Sequence, residues 1–286
     1  MQDNNRTMSN TSITSITPHP ALSILIAAAA SISVAGCSPS RQNQAEAVYA
    51  EAVDAFSAKR IGAAKMLLDS IHNHFADVPS VYRDARDLSR AVARYENERT
   101  ISFLDSMLFA CDAEQQILLK LMVVDDPDAP SPRYISKSQQ AYKTFNRSYV
   151  KAATDANGIF SLISVFTGER ALHHDHFVIS VGDEFVEMST VADDAYRNEF
   201  ADGDRVWETV RYSGHEAAEA AKFIESHLAD RVAVDYLGPK AHFITYLTDV
   251  DKEAIAHVWA LSRSLRESRK IKGMIRKSRL EMKNTQ

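Results

Sequence analysis

The stretch Asp125–Arg133, DDPDAPSPR, holds three prolines and three aspartates and no large apolar residue, and the hydrophobic period changes across it. Proline removes a backbone donor and biases the residue before it towards extended backbone, so such a run ends a regular element. Before it, Val81–Val124 contains neither glycine nor proline. Ile101, Leu104, Leu108, Cys111, Leu118 and Met122 fall there at heptad a and d spacing, with Gln115 the one polar intrusion. That spacing predicts one helix over Val81–Val124, about 60 Å long, with Cys111 a small core residue rather than a nucleophile.

After the break the period is near two. Strands are predicted over Ser148–Thr154, Ile159–Thr167, His176–Val181, Glu184–Thr190, Val206–Tyr212, Val232–Leu237 and His242–Leu247. Asn157-Gly158 and Gly182-Asp183 are tight-turn signals that pair the first four strands as antiparallel hairpins. The helical pattern HEAAEAAKFIESHL, His215–Leu228, interrupts the series. Asp249–Met282 again reads as one helix, with Ile255, Val258-Trp259, Leu265, Ile271 and Ile275 as its stripe. Its start is acidic and its second half basic, as the helix dipole favours. Packed antiparallel on the Val81–Val124 helix, it gives an α+β fold: a long helical hairpin or coiled-coil stalk carrying an inserted antiparallel β-rich module at its far tip. Nearer the N-terminus, Ala45–Phe75 reads as two helices. Ala55-Phe56, Gly62, Ala64, Leu68, Ile71 and Pro79 resemble one tetratricopeptide-like hairpin. A repeat array needs about three units, so an ordinary helical hairpin is expected.

The other informative stretch is Ala21–Cys37. Leu22–Gly36 holds about fifteen apolar or small residues, which matches a signal-peptide core and is short for a membrane span of roughly 20. Val34-Ala35-Gly36-Cys37 resembles a bacterial lipobox. That resemblance implies cleavage before Cys37, diacylation of its sulfur and acylation of the new amine, because a thiolate is the nucleophile able to take the lipid. Several acyl chains together give stable anchoring where one is marginal. The n-region departs from the usual pattern, with Arg6 alone opposed by Asp3. The organisation expected is 1–36 signal peptide, 37–44 lipidated tether, 45–124 N-terminal helical region, 125–142 linker, 143–248 β-rich module with one inserted helix, and 249–286 basic C-terminal helix.

Among 286 residues the net charge is −5, so no general field for nucleic acid is expected. Two cysteines, one of them Cys37, exclude a disulfide framework. Phe103-Leu104-Asp105-Ser106-Met107-Leu108, Leu172-His173-His174, Asp235-Tyr236-Leu237-Gly238 and Trp259-Ala260-Leu261-Ser262 resemble motifs of a lipoprotein family from Bacteroidetes-type bacteria. The resemblance covers most of Ala45–Lys283 and implies an address and an architecture but no chemistry. In such bacteria an acidic run after the lipidated cysteine tends to mark surface export. Ser38–Gln44 lacks one, which implies an outer-membrane position facing the periplasm.

Three constellations bear on function. His173, His174 and His176 with Asp175 are imidazoles of the kind that hold zinc or copper. On a strand His174 and His176 would share a face, with His242 or Asp183 as further ligands. A polar strand edge is the plainer expectation, and no metal or other cofactor is assigned. Asp193, Asp194, Glu199, Asp202, Asp204 and Glu208 read as a solvated acidic loop without the twelve-residue calcium pattern. Arg263, Arg266, Arg269-Lys270, Lys272, Arg276-Lys277, Arg279 and Lys283 make the last helix basic. Arg269, Lys270, Arg276 and Lys277 are the binding candidates, for anionic headgroups or an acidic partner, against the bland reading of a solvated coiled-coil face.

No Gly-x-Ser-x-Gly, HExxH or phosphate-cradling loop is present. Ser213-Gly214-His215-Glu216 lacks an assignable orienting acid. Tyr149, Phe160, Phe166, Phe177 and Phe185 alternate as core residues should, leaving Trp207 as the one possible sugar platform. The expectation is therefore a non-enzymatic, lipid-anchored envelope protein whose partners are the membrane, through its lipid, and another envelope protein. The alternative is a ligand-binding module for carbohydrate, peptide or metal. A hydrolase stands third and would need a cleft with a nucleophile bonded to His215 or a cluster histidine.

Overall fold

Helix α1 (Arg41–Ser57) and helix α2 (Ile61–His74) form a hairpin closed by Lys59 in left-handed backbone, φ 59°. Small residues let the two approach: Ala45, Ala52, Ala55 and Ala64 are buried with Leu68 and Ile71. The computed structural model describes residues 40–125, 127, 131–191 and 196–284, and from Arg41 onward they belong to one compact unit. Leu22–Cys37, with its lipobox resemblance, lies outside the described residues. Within the expected tether over 37–44, residues 41–44 are instead helical, because Arg41 begins α1 and its guanidinium grips Asp77; residues 37–39 lie outside the described residues.

Pro79 opens helix α3 (Pro79–Leu119), at a position whose N–H needs no intrahelical partner. Its first turns close the hairpin core through Val81, Ala85 and Val92. Its later turns bury Leu104 against Ile271 and Ile275 of helix α6 (Asp249–Asn284), with Ile101, Leu108 and Cys111 packed alongside. Gln115, the polar intrusion, donates to Ser268 Oγ at 2.7 Å and to the Ser264 carbonyl at 3.1 Å. Pairing of residues 104 with 275 and 115 with 264 makes the two helices antiparallel.

The helix predicted to Val124 ends instead at Leu119. Met122–Asp125 is strand β1, paired antiparallel with β2 (Arg133–Ser136), so Met122 continues no heptad. The expected linker over 125–142 is thus partly structured: β2, a 3-10 turn at Lys137–Gln139 and the short helix α4 (Ala141–Thr144). Strands β3 (Tyr149–Asp155) and β4 (Phe160–Gly168) follow, joined through Asn157-Gly158 as predicted. Gly158 sits at φ +78°, and a Cβ there would meet the Ser262 carbonyl at 2.6 Å, so the turn rests directly on α6.

Next come β5 (His176–Val181), β6 (Glu184–Glu187), β7 (Arg197–Asp202), β8 (Arg205–Ser213), helix α5 (Gly214–Ser226), β9 (Ala233–Leu237) and β10 (His242–Tyr246). β6 ends earlier than predicted, and β7 occupies part of the supposed acidic loop. One sheet has the order β1-β2-β3-β4-β8-β7 and the other β10-β9-β5-β6, every pair antiparallel.

The main core lies between the sheets and the helices. It joins Val150, Leu162 and Phe166 of the first sheet, Phe177, Ile179 and Tyr236 of the second, Ala220 and Ile224 of α5, and Ile255, Val258 and Leu261 of α6. The first half of α6 is therefore built into the β-rich body, and its second half pairs with α3. At its start Thr248 and Asp251 form a capping box, Asp251 N–H donating to Thr248 Oγ1 at 3.1 Å. Arg147 clasps the same carboxylate at 2.6 and 2.7 Å. Burial pushes the Asp251 carboxyl up, but the donors Arg147, Thr248 and Gln139 hold it below the usual range. Among the described residues, no helix is long and apolar enough to cross a membrane.

Candidate functional sites: a buried Ser–His–Glu cluster and a cationic groove

Alternation along β4 and β8 turns Ser164 and Glu208 to the same side as the core residues Leu162, Phe166 and Val210. The chain between β4 and β5 brings His174 onto them. His174 Nδ1 donates to Glu208 at 2.9 Å, and its Nε2 lies 2.9 Å from Ser164 Oγ. His173, at φ 56°, bends the backbone so that three successive N–H groups point at one carboxylate. Leu172, His173 and His174 donate to Glu208 at 2.6, 2.8 and 2.8 Å. Burial pushes the Glu208 carboxyl up; the hydrogen bonds from the His174 ring and these three amides outweigh it and bring it down to about 2.

The order serine–histidine–carboxylate is that of a hydrolase, but the setting differs. Ser164 is fully buried and His174 is 1% exposed, with its ring edge-on to Tyr236. The three neighbouring amides, of Leu172, His173 and His174, are already bound to Glu208. A cavity of about 290 Å³ opens beside the cluster, lined by His174, Arg197, Asn198, Glu199, Glu208 and Thr209, and Ser164 does not line it. The cluster ties the β4–β5 connection to β4 and β8, and Tyr212 of β8 also donates to the Asp175 carbonyl.

The predicted histidine group is dispersed. His174 precedes β5 with both ring nitrogens engaged in the core, while His176 is held by Asp175 at 2.6 Å, so the two do not present one face. His242 on the edge strand β10 bonds Asp235 on the adjacent β9. His173, Glu199 and Glu208 do bring one donor each within 4.8 Å. They fit a cation poorly, because Glu208 already accepts four hydrogen bonds. The acidic loop resolves into the β7–β8 hairpin, with Glu208 buried rather than solvated; Asp193 and Asp194 lie outside the described residues. His215 is exposed beside Glu219, while the neighbouring Glu216 accepts from Ser189 Oγ, and among the described residues no serine is bonded to the His215 ring. Phe185 is exposed where a core position was expected, and Trp207 is buried against Phe145 and Phe200, so it offers no sugar platform.

The basic helix divides sharply. Lys270 and Lys277 pair with Glu267 and Glu281 along α6 itself. Arg269 and Arg276 turn to the other side, with Lys272, Arg279 and Lys283. Two contiguous grooves between α3 and α6, of about 500 and 470 Å³, share Lys272 and Arg276. Leu108, Ile275 and Leu280 give the larger one an apolar floor, and Asp105 stands on its α3 wall. Among the described residues, Arg269, Lys272, Arg276, Arg279 and Lys283 form no ion pair. Of the four predicted binding residues, then, the fold assigns Arg269 and Arg276 to the groove and Lys270 and Lys277 to the far face. No protein family, curated protein or solved structure matches the chain.

Proposed function

We propose that this is a lipid-anchored protein of the cell envelope that works by binding another envelope protein, without catalysis of its own. The lipobox resemblance at Cys37 supports the anchor, and with it an outer-membrane position facing the periplasm. The heptad spacing on α3 supports a coiled-coil stalk formed with α6, bearing the β-rich module. The observation that carries the interaction reading is the groove: five cations around an apolar floor that form no ion pair among the described residues. Cations on a helix are stabilised by carboxylates three or four residues away, as Lys270 and Lys277 are here. A row left open beside exposed leucine suits an external anion with an apolar side. The cavity beside Glu199 and Glu208 supports the second reading, a small polar ligand held by the β-rich module.

The test is proximity labelling in intact envelopes with the full chain. Wild type is compared with Cys37→Ala and with the pair Arg276→Glu/Arg279→Glu. The reading expects a discrete set of labelled envelope proteins that both changes abolish. Identical labelling from the charge-reversed chain would remove the groove from the account, and identical labelling from Cys37→Ala would remove the anchor.

A further inference from the structure

The groove's cations have an order that a diffuse basic patch lacks. Arg269, Lys272, Arg276, Arg279 and Lys283 succeed one another at intervals of three, four, three and four residues. That alternation averages 3.5, the repeat by which one α-helix keeps a single seam against another. The apolar seam of α6 towards α3, through Ile271 and Ile275, already uses the neighbouring strip of the helix. The cationic strip therefore forms a second seam, beside the first, and the space it faces is concave.

We infer that the groove receives an α-helix of another protein whose aspartates or glutamates recur at the same three–four spacing. This rests on the interaction reading above. Its carboxylates would run along Arg269, Lys272, Arg276, Arg279 and Lys283, and an aliphatic residue between them would cover Leu108, Ile275 and Leu280. Helices laid in grooves are read through such i, i+3, i+4 and i+7 anchors. Asp105 on the opposite wall argues for a polypeptide over a lipid surface. An anionic bilayer presents negative charge to both walls, whereas a helix can turn a lysine towards Asp105 and carboxylates towards α6. A bilayer is also indifferent to the order of the cations along the helix, and the order is the feature observed.

The experiment uses the full chain and defined probes. One is a labelled helical peptide of about three heptads with glutamate at alternating three and four spacing. The second has the same composition with the glutamates scrambled, and the third is vesicles containing phosphatidylglycerol. Binding is followed by anisotropy for the peptides and by co-sedimentation for the vesicles. The ordered peptide should bind at least about tenfold more tightly than the scrambled one. Arg276→Glu/Arg279→Glu should weaken it about tenfold, the scale at which close charge pairs couple at interfaces. Lys270→Glu/Lys277→Glu, the same change in net charge on the far face, should leave it unaltered, and circular dichroism of both variants checks that α6 is intact.

Equal binding of the two peptides overturns the proposal. So does tighter binding to vesicles, which would make the occupant a lipid surface. Self-association that the groove reversal dissolves would make it a second copy of this chain, and the proposal would likewise fall. If the ordered peptide fails while groove-dependent labelling in envelopes persists, the helix is wrong and the interaction reading stands. If that labelling is absent as well, both fail.

Discussion

Gln115 on α3 donates to Ser268 Oγ on α6 across 2.7 Å, next to the apolar cluster of Leu104, Leu108, Cys111, Ile271 and Ile275. A polar layer in an apolar helix pair fixes which turn meets which, since any slip leaves both groups unpaired. That register sets the groove, because it places Asp105 and Leu108 opposite Arg276 and Arg279.

Gln115→Ala should lower stability by about 1 kcal/mol, the usual net contribution of one such bond. Adding Ser268→Ala should then do little further harm, because the two effects share one bond. Urea unfolding of the single and double variants measures this; simple additivity would mean the bond does not set the register.

The Glu208 nest predicts a particular acid sensitivity. Its folded-state pKa, about 2, lies below the ordinary glutamate value of 4.5, so its stabilisation is present above about pH 4.5 and is lost as pH falls through 2. The whole effect is on the order of 3 kcal/mol. Unfolding of wild type and Glu208→Gln, followed from pH 6 to pH 2, should show a wide gap that closes towards the acid end. Parallel curves would contradict a depressed Glu208.

Tyr236 is fully buried in the main core, and its hydroxyl has no partner among the described residues. A buried donor without a partner is destabilising, so Tyr236→Phe should stabilise the protein by about 1 kcal/mol in thermal melts. A loss of that size would mean the hydroxyl is bonded.

Gly238 lies against the loop that carries His173 and His174. A Cβ there would meet the Leu172 carbonyl at 2.1 Å, a backbone atom that cannot swing aside. Gly238→Ala should cost about 2 kcal/mol or more through strain. It should also flatten the acid dependence due to Glu208, since Leu172 N–H is one of that carboxylate's donors. A variant with unchanged stability and an unchanged acid limb would refute the link.

How much of this could be read beforehand varies by element. The hairpins at Asn157-Gly158 and Gly182-Asp183 were legible because a tight turn is local chemistry. β1 was not: Met122 keeps the heptad spacing of α3, and its partner β2 lies beyond the proline-rich run. β7, Arg197–Asp202, is a mostly exposed edge strand whose charged residues hide the period of two, as edges often do. The three–four spacing of cations was visible in the sequence, but sorting Arg276 from Lys277 required knowing where α3 packs. Ser164, His174 and Glu208 meet through sheet pairing and one loop, so no spacing announces them. The segments quoted for the lipoprotein resemblance fall at packing positions: Leu104 in the α3–α6 seam, Gly238 under Leu172, and Ser262, which donates to the Gly158 carbonyl at 2.8 Å.

The central claim is that the helical groove, rather than the β-rich body, meets the partner. Its most direct test is a photo-crosslinking residue placed singly at Leu280, in the groove, or at Phe185, exposed on β6, followed by irradiation of intact envelopes. The account predicts a discrete crosslinked product from position 280 that Arg276→Glu/Arg279→Glu removes, and none from position 185. Products from 185 alone would contradict it and move the binding surface to the sheets.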